Sequence, residues 1–452
     1  MRPLPDAYEL TSGSLIKGLM RLSGPLLLSA LLQNAQSLID LFWVGRLGSI
    51  AVAGVALSAT VFMLLFPMIM GLTAGTVAMV ARMTGAGDGE GANRAAGQSL
   101  MLSLILGGIT GMVCSLFSEP VLRLLGADAQ VVRMGAPYLR ILLLGSFSVF
   151  LLFTANAALQ AVGDTVRPMW SMILANVLNL ILDPLLIFGF GPFPEMGIEG
   201  AAWATVFSQV VACAVSIHLM KTGKSRLKVQ AHHWKLDWAL SWRILRIGVP
   251  GSGQMLSRGL MAAAFMRIVA QYGTVALAAY GIGMRFHMIL LMPAFAFGNA
   301  AATLVGQNMG AGQLDRARAA AWLATAIDAG LMILCSIAVA IWAGPLVSFF
   351  SSDPAVIAVG VKFLRIVTPF AVFATLGIVL GRAMNGAGET LMPMILTVVS
   401  LWGLQVPLGL WLPHHWHPAT SGIWWANALA MMAHGILIML WFLKGHWQRQ
   451  RV

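Results

Sequence analysis

Twelve long apolar runs, separated by short polar connections, place the strongest constraint on how this 452-residue chain can fold. The runs cover approximately residues 18–44, 52–82, 94–117, 131–157, 168–190, 197–219, 244–270, 277–306, 319–343, 356–382, 393–412 and 421–443. Each is about 20 residues or longer, which is enough for a helix to cross a bilayer. Glycine and proline lie inside the runs, and the alternating pattern of a β-barrel strand is missing. The sequence therefore predicts an all-α polytopic membrane protein with twelve transmembrane helices.

The composition and the distribution of charge agree with this class. Hydrophobic residues make up 59% of the chain and charged residues 10%, whereas soluble domains carry roughly 25% charged residues. The net charge of +12 comes from basic residues in short connections, so we attribute it to membrane topology and expect no nucleic-acid partner. Most of the Lys and Arg residues fall on the side of both termini, and residues 1–17 lack the features of a cleaved signal. We expect a multi-pass protein of the plasma membrane, a bacterial inner membrane, with both termini cytoplasmic.

An internal repeat divides the chain into two halves. A constant shift of 225 residues places Pro25 on Pro250, the stretch 85–87 (Gly-Ala-Gly) on 310–312 (Gly-Ala-Gly), and Pro168 on Pro393. Six spans separate equivalent positions, so the halves share one orientation and are related by an axis along the membrane normal. We predict two six-helix lobes around a central cleft. Residues 1–220 form the N-terminal lobe, 221–243 a cytoplasmic linker, and 244–452 the C-terminal lobe.

Three acidic residues lie inside predicted spans, namely Asp40, Asp183 and Asp328. A carboxylate there costs several kcal/mol unless it is solvated, paired or protonated. Gln33 lies seven residues before Asp40, on the same helical face. Asn176, Asn179 and Asp183 follow the spacing i, i+3 and i+7, which also forms one face. Asp40 and Asp183 both fall in the outer half of the first lobe, so we expect them to meet.

Three interpretations of this polar cluster remain open. The two carboxyl groups could form a proton acceptor, because they cannot both ionise cheaply in a low-dielectric site. The oxygen-rich set could instead bind a hard cation such as Na⁺. The groups could also only satisfy one another as interhelical hydrogen bonds. No other metal site or cofactor is predicted, and the three cysteines show no pairing or metal-ligand spacing.

The chain resembles the multidrug and toxic compound extrusion (MATE) transporters, and their DinF-like branch in particular. The resemblance covers nearly the whole chain and is carried by the two six-helix halves, the stretch 160–168 (Gln-Ala-Val-Gly-Asp-Thr-Val-Arg-Pro), and these residues: Pro25, Gln33, Asp40, Asn179 and Asp183. It implies that the aspartate pair with Gln33 and Asn179 is the cation-coupling site. It also implies that Pro25 is a hinge in the first helix. Tyr138 and Asn156 match that branch's site by position.

The second half departs from this pattern. Phe265 stands where the repeat would place a counterpart of Asp40, and Arg258 stands at the counterpart of Gln33. We therefore expect cation coupling in the first lobe only. Arg258 and Asp328 have similar predicted depth, so we expect a structural ion pair, with binding of an acidic substrate group as the alternative. The sequence assigns no role to three further intramembrane residues, Arg267, Arg285 and His287.

The function expected from these features is export of organic, often cationic and amphipathic compounds by H⁺ or Na⁺ antiport. A lipid-linked saccharide flippase or a specific metabolite exporter of the same superfamily is the alternative, which the intramembrane arginines keep open. A membrane enzyme is disfavoured, because neither a catalytic motif nor a sizeable extramembrane loop is present. The expected partners are small organic molecules and the lipid bilayer, and we expect the chain to act as a monomer.

Overall fold

The computed structural model describes residues 10–223 and 225–450, and within these ranges all regular structure is helical. The helices before the linker are α1 (Leu15–Val44), α2 (Ser49–Met63), α3 (Phe66–Gly85), α4 (Gly89–Ser115), α5 (Ser118–Leu124), α6 (Ala129–Leu144), α7 (Ser146–Ala161), α8 (Val166–Phe188) and α9 (Ile198–Lys221). The later ones are α10 (Trp238–Ala270), α11 (Thr274–Gly310), α12 (Leu314–Ile341), α13 (Ala343–Ser348), α14 (Pro354–Val367), α15 (Ala371–Thr375), α16 (Gly381–Gly386), α17 (Leu391–Ser400), α18 (Val406–His415) and α19 (Ala419–Leu443).

Ten helical stretches of the described chain are long and apolar enough to cross a membrane, and the bent pair α6 and α7 makes an eleventh. The bend between these two helices is 43°. The remaining predicted span corresponds to α10, a 33-residue helix that carries four arginines. The prediction of an all-helical, multi-span membrane protein is therefore confirmed.

The chain packs as two compact units. Unit one contains Gly24–Val249, and unit two contains Leu10–Ser23 together with the chain from Pro250 onward. The change of unit falls beside Pro25 in α1 and at Pro250 in α10, although both helices continue through these prolines. These units are defined by packing, whereas the predicted lobes are defined by the sequence repeat.

Close approach between helices explains part of the glycine content. A Cβ atom at Gly75 of α3 would lie 2.4 Å from the Ile244 carbonyl oxygen of α10, inside unit one. A Cβ at Gly248 would lie 2.9 Å from the Gly71 carbonyl oxygen. Small residues allow transmembrane helix backbones to pack at this range. The beginning of α10 is therefore held against α3.

The linker between the halves is fixed to unit one by the side chain of Gln98 on α4. Its Nε2 donates to the carbonyl oxygens of His233 (2.9 Å) and Lys235 (2.6 Å). Its Oε1 accepts from the Asp237 amide (2.9 Å) and the Ser241 hydroxyl (3.1 Å). All the hydrogen-bonding capacity of this amide is used, since it has two donors and one oxygen with two lone pairs. The linker is therefore part of unit one.

A cluster of Glu90, His232 and His233 lies beside this clamp, with ligand atoms within 4.8 Å of one another. The Gln230 amide donates to His233 Nδ1 at 2.8 Å, so the neutral ring carries its hydrogen on Nε2. That Nε2 donates to Glu90 Oε1 at 2.9 Å. A metal ion would bind the lone pair of Nε2, which is not available in this tautomer. The cluster therefore joins the linker to α4 through hydrogen bonds.

Unit two has an aromatic core. The rings of Tyr280 and Trp424 are stacked with centroids 6.0 Å apart, and Phe363 meets Trp424 edge to face at 4.9 Å. Phe265, the counterpart of Asp40, is fully buried in this core. Unit two therefore replaces the carboxylate position of the first repeat with apolar packing.

Candidate functional site

The structure brings Asp40 of α1 and Asp183 of α8 together inside unit one. Asp183 and Asn179 are fully buried, and Asn179 Nδ2 donates to Asp183 Oδ1 at 3.1 Å. The carboxyl group of Asp40 lies close enough to both residues to interact with them electrostatically. Two ionised carboxylates this close in a buried place repel each other, so a proton or another cation held between them would reduce the cost.

Four buried oxygen atoms at this place have no hydrogen-bond donor among the described residues. They are Asp40 Oδ1, Asn176 Oδ1, Asn179 Oδ1 and Asp183 Oδ2. The amide of Asn176 is turned away to the Met172 carbonyl oxygen at 2.8 Å, which leaves its oxygen free. Carboxylate and amide oxygens are ligands of hard cations. The residues present therefore fit either protons or a small hard cation such as Na⁺.

Tyr138 of α6 closes the cluster from another helix. Its side chain is 5% exposed and packs with apolar residues of α1, α2 and α9. It lies close enough to Asp40 and Asp183 for both carboxyl groups to act on its hydroxyl electrostatically. Tyr138 therefore lies near the pair, and its role there stays a prediction.

Two aromatic side chains that the sequence reasoning did not identify hold α1 and α8 together here. Trp43 lies three residues after Asp40, and Phe188 lies five residues after Asp183. Their rings meet edge to face with centroids 6.2 Å apart. The guanidinium carbon of Arg46 lies 4.8 Å from the centroid of the Trp43 ring. An aromatic residue shortly after each aspartate is the signal that could have indicated this contact.

Other predicted site residues lie away from the pair. Gln33 is half-buried on α1, two turns before Asp40, and the structure shows no hydrogen bond between them. Asn156 accepts a hydrogen bond from Ser216 at 3.2 Å, and Ser216 contacts Ser171 at 2.8 Å. Ser171 precedes Asp183 by 12 residues on α8, which is about 18 Å of helix. Asn156 therefore belongs to a separate polar contact.

The predicted ion pair between Arg258 and Asp328 is not formed among the described residues of unit two. The guanidinium of Arg258 on α10 lies 3.0 Å from His434 Nε2 on α19. Asp328 of α12 is fully buried, and neither of its carboxyl oxygens has a hydrogen-bond partner among the described residues. Similar depth in the membrane does not determine which way a side chain points around its helix, and Arg258 points to a histidine instead.

Comparisons with known proteins agree with this architecture. The MatE family model matches residues 25–185 and 250–411, one match in each half. The probable multidrug resistance protein YoeA of Bacillus subtilis (strain 168) is 30% identical over 95% of this chain and 93% of its own length. The FAD transporter of Shewanella oneidensis is 32% identical over 90% of each chain.

Solved structures are similar over almost the whole chain. A crystal structure described as MATE in the bent conformation superposes with a TM-score of 0.91 at 27% identity, covering 98% of both chains. A transporter of the MOP superfamily from Pyrococcus furiosus, described as having a binding pocket of reverse polarity, superposes with a TM-score of 0.90 at 26% identity, covering 100% of both. With matches in both halves and this extent of similarity, the chain belongs to the MATE family and is a membrane transporter, not an enzyme.

Proposed function

We propose that this chain is a secondary active exporter of organic, often cationic and amphipathic compounds, driven by antiport of H⁺ or Na⁺ through Asp40 and Asp183. The proposal rests on one observation, which is the proximity of two intramembrane carboxyl groups beside buried oxygens that lack donors among the described residues. Two buried carboxylates are costly in a membrane unless a bound cation neutralises part of their charge. The relatives named as multidrug resistance proteins support export as the direction of transport.

The cation is held by this chain's own groups in the proposed cycle. A proton would sit between the carboxyl oxygens of Asp40 and Asp183, where Asn179 already donates to one of them. Na⁺ would instead be held by the carboxylates and the amide oxygen of Asn179, since Asn176 lies about 10 Å of helix away from Asp183. In both cases cation binding removes negative charge from unit one, so a state that binds the cation better becomes more populated.

We propose that cation binding at the pair affects the rest of the protein through a bend of α1 at Pro25. Proline removes one helical hydrogen bond and crowds the preceding turn, which makes a weak point. Pro25 lies 15 residues before Asp40 on the same helix, beside the change of packing unit at Gly24. Two solved relatives are described as MATE in the bent and in the straight conformation, which supports two conformational states for a protein of this family.

The test uses purified protein in proteoliposomes with H⁺ and Na⁺ gradients imposed separately, and dye efflux as the readout. Asp40→Asn and Asp183→Asn each keep the side-chain size and remove the titratable charge, so we expect loss of gradient-driven efflux at normal expression. The matched control is Glu199→Gln, an exposed acid at the start of α9 in the same unit. Efflux at the wild-type rate from either aspartate variant would exclude the pair as the coupling site.

Export of a specific metabolite is the second candidate, because the Shewanella relative is named for FAD. Competition of FAD with the dye in the same assay separates the two, since a pure multidrug exporter of cations would not be inhibited by it. Placement in the plasma membrane with both termini cytoplasmic, assignment to the DinF-like branch and a monomeric state also remain proposals. They follow from the basic connections and the resemblance described above.

A further inference from the structure

We propose that Arg258 and Arg382 of unit two form a binding site for an anionic group, a phosphate or a carboxylate, of the transported molecule. The inference rests on the proposed transport function and names a chemical class of substrate for it. It concerns a part of the chain that the cation pair does not use.

The first observation is that neither arginine has an acidic partner. Ion pairs within 4.0 Å among the described residues involve only Arg123, Arg167 and the two linker histidines. Arg258 lies in the middle of α10 and Arg382 near the start of α16. An arginine inside a membrane protein is expensive and marks functional positions by default. Two of them without carboxylates need another anion.

The second observation is that the neighbour of Arg258 does not neutralise it. The guanidinium group has only hydrogen-bond donors, so His434 Nε2, at 3.0 Å, must accept and the ring is uncharged in this contact. His434 is 96% buried, since its exposed fraction is 4%. The bond orients the guanidinium and leaves its positive charge intact.

The third observation is that packing holds the two positive charges near each other. The His434 ring lies against Gly377, where a Cβ would come within 2.6 Å of its Cδ2. Gly377 belongs to the π-helical segment Leu376–Leu380, which ends two residues before Arg382, and such segments are frequent at functional sites. The charge of Arg382 lies close enough to act on Arg258 electrostatically. An anion between them would relieve this repulsion.

The remaining surroundings suit a ligand with a flat aromatic part. The guanidinium carbon of Arg382 lies 5.6 Å from the centroid of the Phe295 ring, and its stem packs on Gly298. Both arginines are partly exposed. The planar fork of arginine matches phosphate and carboxylate oxygens in pairs. In the first repeat the equivalent positions hold Gln33 and Ala157, so the basic site belongs to the second half alone.

The experiment compares two probes that differ by one phosphate, FMN and riboflavin, through the quenching of their fluorescence by full-length protein in neutral phosphatidylcholine nanodiscs. We expect FMN to bind about tenfold more tightly or better, because charge-assisted hydrogen bonds to a phosphate are among the strong ones. Arg258→Gln and Arg382→Gln should each remove most of this preference. Arg267→Gln, an exposed position on the same helix α10, is the control and should keep it.

Equal binding of FMN and riboflavin by the wild-type protein would overturn the proposal. This comparison needs no variant, so it stays decisive even if the arginine variants fail to fold. A preference unchanged in both arginine variants would also overturn it. A second arm replaces the neutral lipid with anionic phosphatidylglycerol. Loss of FMN binding there would show that the arginines hold a lipid headgroup, which contradicts a site for substrate.

The same measurement separates this inference from the coupling proposal. Asp40→Asn should keep the preference for FMN over riboflavin while gradient-driven efflux is lost. Efflux that survives in Asp40→Asn would count against the coupling site alone. Loss of the phosphate preference in that variant would count against an independent site in unit two.

Discussion

The clamp formed by Gln98 leads to a quantitative prediction about the linker. Gln98→Leu keeps a similar side-chain volume and removes all four hydrogen bonds to the segment from His233 to Ser241. Gln98 is 2% exposed, so water cannot simply replace it. We expect the segment to detach locally from α4 while the rest of unit one stays folded.

The magnitude follows from the number of bonds. Each contributes about 0.5–1.5 kcal/mol net, and the linker groups that reach water after detachment recover part of their solvation. We therefore expect a loss of about 2–4 kcal/mol in the free energy that keeps this segment closed. Every 1.4 kcal/mol is about tenfold in an equilibrium, so opening should become about 30-fold to several hundred-fold more frequent.

Hydrogen exchange measured by mass spectrometry on purified protein is the appropriate assay. The Asp237 amide is protected by its bond to Gln98 in the wild type, and its exchange should accelerate by the factor given above. The Lys228 amide is bonded to Asn93 at 2.7 Å and serves as an internal reference that should change less. Gly97→Ala should have the same effect by a different route, since a Cβ there would lie 2.5 Å from the His233 carbonyl oxygen.

Gln130→Leu is the matched control, because Gln130 is an exposed glutamine of unit one whose side chain makes no hydrogen bond in the structure. It should leave linker exchange unchanged. If Gln98→Leu also leaves the exchange of the Asp237 amide unchanged, the four hydrogen bonds of buried Gln98 do not hold the linker, and the predicted stabilisation is wrong.

Three further results are expected. The effects of Arg258→Met and Asp328→Leu on the free energy of unfolding, measured by thermal melting, should add in the double variant to within about 0.5 kcal/mol, because the two residues form no ion pair. A double variant clearly more stable than this sum would show that they do. Burial raises the pKa of Glu389, so ionisation of this carboxyl group costs more in the folded chain than in the unfolded chain. Glu389→Gln should therefore raise the melting temperature at pH 7 to 8, with an advantage that fades as the pH falls toward 4. Pro25→Ala should impair efflux more than Pro250→Ala at equal expression and uncouple drug binding from pH; equal effects would exclude bending at Pro25 as the transmission step.

The sequence predicted those features of the structure that follow a periodic residue pattern. Long apolar runs and the 225-residue shift indicated helices and a two-part chain, because membrane spans must be long, apolar and internally hydrogen-bonded. The i, i+3 and i+7 spacing placed Asn176, Asn179 and Asp183 on one face, and the structure buries all three. Their distances from the predicted helix ends then placed Asp40 and Asp183 at similar depth in the membrane.

The sequence could not predict which way a side chain points around its helix. Arg258 and Asp328 were expected to meet, but rotation about the helix axis directs Arg258 to His434, and the carboxyl oxygens of Asp328 have no hydrogen-bond partner among the described residues. Helix rotation is set by packing of many weak contacts between neighbours, which no single-helix pattern contains. Asn156, by contrast, was matched to the site by resemblance, and its contact with Ser216 places it elsewhere.

Acidic residues that the two repeats share have structural roles in this chain. Asp128 precedes α6 and accepts hydrogen bonds from the amides of Gln130 and Val131. Asp353, its counterpart, precedes α14 and accepts from the amide of Ala355 at 2.8 Å. Both are N-caps, which satisfy amides that a helix leaves unpaired at its start. These two helices therefore begin in the same way in both halves.

The two carboxylates of the candidate site do not recur in this way. Asp40 and Asp183 lack counterparts, since Phe265 and Leu408 stand at the equivalent positions, and the second half folds without carboxylates there. Their cost in the first half cannot then be a requirement of the six-helix fold. We propose that this cost is offset by a function of the first half alone, and reversible cation binding is a chemistry that two neighbouring carboxyl groups can supply.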